Sequence, residues 1–277
     1  MAVFDTTNQA PFLADVWAKN AMLAREEALI MGKRVLRFDV EVKKKGDVLT
    51  IPQVTNLTTN AVGSGGTYVG QSPAESNYTI TIDRWREAAV EIPDLIAVQS
   101  SYDLMSLYSK KIGYALALDL EDRLFALYSG LANSVGTAGI ALTDDTLLNA
   151  IQILDEGVTP LEDRTMTFRP ASKRTLMKID KFVDAAKTGL GRGSQITGLF
   201  GEIYGIPVYF SNRVVSSSGV RNMVFHKEAF GAAVQIDIKM EKFRLSLADD
   251  LVGHILFGTS ELRDTTGMGI SACEVLT

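Results

Sequence analysis

Cysteine is almost absent: Cys273 is the only one in 277 residues. An intrachain disulfide is excluded, which fits a reducing compartment or a fold that needs no covalent staple. One thiol cannot complete a zinc site, and Cys273 reads as a small buried hydrophobe. Histidine is nearly as scarce. His226 and His254 belong to no H-x-x-x-H or H-E-x-x-H pair, so neither reads as a metal ligand. No G-x-x-x-x-G-K-[ST] phosphate loop and no G-x-S-x-G nucleophile elbow occurs. Gly189, Gly191 and Gly193 sit too close together, and without a strand–turn–helix context, for a nucleotide loop; a surface loop is expected there. No catalytic residue, metal or cofactor is therefore expected.

Positive charge is also in short supply. The formal net charge is −5, which argues against a protein that grips nucleic acid through a basic surface. No run approaches eighteen consecutive apolar residues, so no membrane span is expected. The first residues lack a basic segment followed by an apolar one; no signal peptide is expected, and the Asn56 and Asn77 sequons read as incidental. Only 7 prolines accompany 23 glycines, a balance that suits strands and loops better than a helical bundle.

What is present is organised around residues 100–131. Met105, Tyr108, Ile112, Leu116, Leu120, Leu124, Leu127 and Leu131 recur at helical spacing without an interrupting proline, predicting one long helix with an apolar stripe. A cap is expected near Ser100 and Asp103, and a stop near Gly130. Asp119, Glu121 and Asp122 cluster on this helix. Without His or Glu partners at helical spacing, they are expected to form a solvated or salt-bridged surface.

Before that helix, residues 11–30 carry an amphipathic pattern with Pro11 suited to the first turn. Phe38, Val40 and Val42 alternate with charged residues, residues 43–46 make a turn, and extended patterns resume at 48–57 and 77–92. Between them lies the Gly/Ser/Thr/Asn-rich stretch 58–76. The expected shape is a long two-stranded arm with a flexible tip. An isolated hairpin is marginal in water, so the arm is expected to lie on a neighbouring copy. After the long helix, Thr143 or Asp144 caps a helix ending at Gly157, residues 166–168 read as a buried strand, and Pro170 opens another helix. Residues 201–214 read as a strand pair. The closing alternations, ending with Val252, Ile255 and Phe257, are expected to form a sheet beneath the long helix.

The run NYTITIDRWREAAVEIPDLIAVQSSYDLMSLYSKKIGYALALDLEDRLFALYSG (77–130), with GEIYGIPVYFSNRV and VFHKEAFGAAVQ downstream, resembles the major capsid proteins of tailed bacteriophages with the Hong Kong 97-type fold. The resemblance implies an α+β chain. Residues 1–37 would be an N-terminal arm with an amphipathic helix, and 38–92 an extended β-loop with its tip at about 58–76. Residues 93–135 and 236–277 would form a peripheral domain with spine helix 100–131, and 136–235 an axial domain. It further implies pentamers and hexamers that close into an icosahedral shell around double-stranded DNA, assembled in the host cytoplasm and ending in the virion. The partners would be further copies of the chain, a separate scaffolding protein, a portal and a decoration protein. DNA would be touched only weakly and non-specifically, and no membrane is involved. An encapsulin-type compartment shell is the alternative within the same fold; a hydrolase with a dispersed catalytic set is the remote one. Candidate subunit-interface residues are Trp17, Leu57, Tyr68, Val69, Tyr78, Arg84, Trp85, Arg86 and Arg192; for Trp17 and Trp85 the reason is that aromatic side chains are enriched at such contacts, with burial inside the subunit as the other reading.

Overall fold

The structure is a computed structural model. It describes residues 26, 29–43, 46–54, 56–62, 64–66, 68, 70–72, 76–100, 103–179, 201–265, 269–270 and 272–277. Most of the helix expected at 11–30 lies outside these residues, as does the glycine loop near 189–193.

After a 3-10 turn at Met31–Lys33 come β1 (Leu36–Arg37) and α1 (Asp39–Val42). The strand expected from the Phe38, Val40, Val42 alternation is instead this single helical turn. The cause is non-local. The Asp39 carboxylate accepts the Val234 N–H at 2.8 Å, and the Gln235 amide donates to the carbonyls of Val42 and Gly46. Side chains thus satisfy backbone groups that a ladder would otherwise pair.

β2 (Val48–Gln53) and β3 (Ser76–Thr81) form an antiparallel hairpin, in register from Val48 opposite Thr81 to Gln53 opposite Ser76. β4 (Arg84–Pro93) does not prolong that arm. It leaves the hairpin and joins a four-stranded sheet of order β1-β10-β11-β4, built on β10 (Phe230–Leu245) and β11 (Ala248–Glu261). Ala88, Val90 and Ile92 turn their alternating face to the core rather than to solvent, which removes residues 84–92 from the arm. The alternations of residues 236–240 and 243–245 belong to the one strand β10.

The chain then makes α2 (Asp94–Gln99) and α3 (Leu104–Ala126), prolonged by a 3-10 turn at Leu127–Gly130. The long helix begins later than its apolar pattern suggests. Ser100 is extended, and Asp103 is the cap, accepting the Ser106 N–H at 3.2 Å. Its 23 residues span about 35 Å. Ile112, Leu116, Leu120 and Leu124 face the sheet as the stripe predicts, joined by Phe125, and share a core with Val234, Leu251, Ile255 and Phe257. Gly253 of β11 lets the helix settle: a Cβ there would overlap Ile112 Cγ2 and lie 3.2 Å from Leu116 Cδ1.

A second, six-stranded sheet has the order β5-β14-β9-β6-β8-β7. Its strands are β5 (Ser134–Gly136), β6 (Arg164–Phe168), β7 (Glu202–Ile203), β8 (Ile206–Phe210), β9 (Arg221–His226) and β14 (Ala272–Leu276), with short β12 (Asp264–Thr265) and β13 (Gly269–Ile270) pairing before the last. α4 (Asp144–Glu156), capped by Thr143, and α5 (Pro170–Leu176) cover one face, around Leu147, Leu154, Met166, Phe168, Val224 and Cys273. β14 departs from expectation: it returns to this sheet, not beneath the long helix. Its Cys273 and Val275 are fully buried there, while Glu274 pairs with Arg221 at 3.0 Å. β9 is shared. Val224 faces the α4 side, whereas Met223 and Phe225 face the core under α3. Its Met223-Val224-Phe225 centre is apolar on both faces, as burial on two sides requires.

Candidate functional site

The acidic trio on α3 is the one cluster that could have held acid–base chemistry, and each member is engaged in a different structural contact. Asp119 pairs with Arg86 of β4 at 3.4 Å, and Asp122 with Arg213 at 3.6 Å. Glu121 is not on the surface; it is 2% exposed. Its Oε1 accepts the N–H of Ile30 at 2.7 Å and of Met31 at 2.8 Å, and its Oε2 that of Gly32 at 3.2 Å. The expected surface patch is corrected at this position. A buried carboxylate needs such donors, and the three N–H groups at the start of a 3-10 turn supply them.

His226 is buried with Nδ1 accepting the Glu228 N–H at 3.3 Å, and burial holds its pKa below the ordinary 6.5. His254 meets Trp85 edge to face, with ring centroids 6.4 Å apart. Among the described residues no group of three His, Cys, Asp or Glu side chains is placed to hold a metal, and no helix is long and apolar enough to cross a membrane.

The surface offers a different kind of site. Residues 48–74 carry no charged side chain, and beyond the paired strands Val54, Leu57, Val62 and Tyr68 are exposed, Tyr68 to 84%. Thr58 and Gln71 tie the two flanks of the tip together: the Thr58 N–H donates to Gln71 Oε1 at 3.0 Å, and the Gln71 amide donates back to the Thr58 carbonyl. At the root of the hairpin a small cluster of Val42, Ile80, Ile82, Ala233 and Leu262 attaches it to the four-stranded sheet. Tyr78 packs half-buried against that cluster, so it serves the subunit's own packing. Trp85 is 73% exposed, Arg84 half-buried, and Arg86 is held by Asp119. Trp17, Val69 and Arg192 lie outside the described residues.

A second apolar surface escaped the sequence reading. Leu95, Ile96 and Val98 of α2 are exposed, as are Phe243 and Leu247 around the β10–β11 turn. The Asp94 N–H donates to the Leu247 carbonyl at 2.9 Å, joining the two elements. Arg244 bonds Asp94 and Asp249 beside them; its hydrogen bond holds the Asp94 carboxyl below the usual range, and the Asp249 carboxyl is held down by Lys242 first and then by Arg244. The signal was the uncharged run at 95–102, where a short helix leaves apolar side chains that no other described element covers.

A family described as phage capsid protein matches residues 75–259, a span that runs from β3 through most of β11. The chain belongs to that family. The fold agrees. A chain from the solved structure of Mycobacterium phage Che8 superposes with a TM-score of 0.81 at 18% identity, over 95% of this chain and 97% of that one. The capsid of cyanophage P-SCSP1u gives 0.80 at 20% identity, covering 97% and 93%. The mature capsid of bacteriophage PhiM1 gives 0.76 at 13% identity, covering 95% and 92%. No curated protein sequence matches significantly. The capsid protein is thus a structural component of a phage shell with the Hong Kong 97-type fold, not an enzyme, and neither the compartment shell nor the hydrolase is favoured by any of these likenesses.

Proposed function

We propose that the capsid protein assembles through pentamers and hexamers into a closed shell around double-stranded DNA, and that the β2–β3 hairpin is a principal fastening between copies. One observation carries the fastening role: an uncharged arm leaves four large apolar side chains in water, on a hairpin rooted by a cluster too small to hold it over its whole length. Burying a side chain of that size contributes about 1.5–3 kcal/mol, so a neighbour's surface is the favourable place for them. The helix-backed four-stranded sheet takes the part of the peripheral domain, and the six-stranded sheet with α4 and α5 that of the axial domain around the capsomer axis. Leu57, Tyr68, Val69, Trp85 and Arg84, with Trp17, Arg86 and Arg192, are the contact residues in this reading; Tyr78 serves the root. Assembly takes place in the host cytoplasm with a separate scaffolding protein, a portal and a decoration protein as partners. The net charge of −5 suits a lining along which DNA slides, since many phosphate contacts would hold it.

The test replaces residues 58–72 with a short Gly-Ser turn, leaving the β2–β3 pairs intact. The expected result is a folded subunit, by circular dichroism and melting, that forms no stable shells in electron micrographs. Normal shells, or a subunit that no longer folds, would overturn the fastening role.

A further inference from the structure

Glu121 does more than satisfy itself. Ile30, the cap position of the 3-10 turn, has no side-chain cap of its own, and the donors at 30–32 are met instead by a carboxylate 89 to 91 positions later in the chain. Around this point the N-terminal segment is fastened three more times. Met31 and Val35 are buried in the core under α3. Arg34 lies over the Tyr209 ring of β8, 4.5 Å from its centroid, and donates to the Tyr209 hydroxyl. Upstream, Glu26 pairs with Lys111 at 2.6 Å. Glu26 thus meets α3 at Lys111 and Ile30 meets it ten residues further on, at Glu121, about 15 Å along the helix. Next to Glu121, Asp122 reaches Arg213 just after β8, so the helix and the N-terminal segment meet the six-stranded sheet at one place.

We propose that Glu121 is a positioning residue for assembly: its carboxylate, seconded by the Arg34–Tyr209 stack, fixes the point and direction at which the N-terminal arm leaves the subunit. This rests on the proposed shell assembly, in which Trp17 of the N-terminal arm is one of the contact residues. The chemistry suits the task. Three bonds from consecutive N–H groups to one carboxylate define an orientation, where a single apolar contact would define only proximity. Hydrogen bonds to a charged acceptor are also about twice as strong as neutral ones.

The experiment compares full-length wild type, Glu121→Gln and Asp119→Asn by hydrogen–deuterium exchange on the free subunit, then by electron microscopy after assembly. Gln presents an amide N–H₂ to the N–H donors and must give up at least one of the three bonds. Exchange at residues 30–32 should rise at least tenfold in Glu121→Gln and stay unchanged in Asp119→Asn, with β6 and β14 protected in both. Assembled Glu121→Gln particles should be irregular or absent. Unchanged exchange at 30–32 overturns the anchor. Faster exchange with regular shells overturns its role in assembly. If Glu121→Gln does not fold, Arg34→Met supplies the test: exchange at 30–35 should rise and shells become irregular, and failure of either overturns the proposal. Wild-type subunits that form no particles under any condition would count against the shell reading instead, and the exchange result would stand apart from it.

Discussion

Replacing Gly258 by alanine should damage assembly far more than folding. Gly258 lies in β11 where the chain leaves the hairpin and turns into β4. A Cβ there would overlap the Thr81 carbonyl oxygen and sit 2.8 Å from Thr81 C and 3.0 Å from Ile82 Cα. All three are backbone atoms, so no side-chain rotation relieves the clash. Ordinary C···O separation is roughly 3.3 Å or more, and the corner must retreat by about 1 Å to restore it. Overpacking of this kind costs about 1–3 kcal/mol, less the ~0.4–1 kcal/mol an alanine gains by restricting the unfolded chain. A net loss of about 1–2 kcal/mol lowers the melting temperature by roughly 2–8 °C in a domain of this size. The arm amplifies the same displacement. A shift of about 1 Å across strands ~4.8 Å apart tilts a six-residue strand pair so that its far end, ~20 Å away, moves by about 4 Å. A fastening surface misplaced that far no longer meets its target. Thermal unfolding of the free subunit and micrographs of assembled material read the two effects separately. A Gly258→Ala protein with regular shells would refute the reasoning about the corner. A melting temperature lower by more than about 15 °C would place Gly258 in the support of the core rather than in the aim of the arm.

Three further substitutions probe the body. Leu124→Ala empties a fully buried position between α3 and the sheet and should cost about 2–5 kcal/mol in urea unfolding, whereas Tyr108→Ala on the exposed side of the same helix should cost less than about 1 kcal/mol. Because burial keeps the folded pKa of His226 below the unfolded value of 6.5, the unfolded chain binds the proton first on acidification. Stability present above pH 6.5 should then fall, by at most about 1.4 kcal/mol per pH unit, until the folded pKa is passed. His226→Asn, whose Oδ1 can accept the Glu228 N–H, should flatten that part of the stability profile in melts between pH 7.5 and 5.

Local signals carried much of this fold. The Thr143 cap and Gly157 stop of α4, the Met166-Thr167-Phe168 stretch of β6, Pro170 at the head of α5 and the Tyr204-Gly205 turn of the β7–β8 hairpin are all written within a few neighbouring residues. What was illegible depends on partners far along the chain. An alternating pattern marks β4 as a strand but cannot say that it pairs with β11 rather than with the arm. It marks β14 as apolar without saying which sheet it completes. Residues 38–42 alternate like a strand and fold as a helical turn because of Val234 and Gln235, nearly two hundred positions away. Glu121 is the sharpest case. On the helix it is one carboxylate among three, and only the approach of residues 30–32 separates a buried acceptor from two ion-paired neighbours. The exposed arm side chains, by contrast, follow from an uncharged run too poor in apolar residues to fold upon itself.

The distribution of cores suggests why these parts are built so differently. β9 belongs to the six-stranded sheet and is buried on both faces, one against α4 and the other against the core of α3, so the two cores meet across one strand. Deforming that strand would open close-packed apolar contacts on two sides at once. The arm hangs from a cluster of five buried residues, and the N-terminal segment from one carboxylate, one stack, one ion pair and two buried side chains. These attachments are small enough to yield before the body does. A shell that places the same chain in pentamers and hexamers needs a unit with that hierarchy, in which the fold is insensitive to the strain each position imposes and the fastenings absorb it. Substitutions at the attachments, Gly258 and Glu121 among them, should consequently alter particle shape at a cost in subunit stability smaller than that of Leu124→Ala, although all three positions lie within or against the same core.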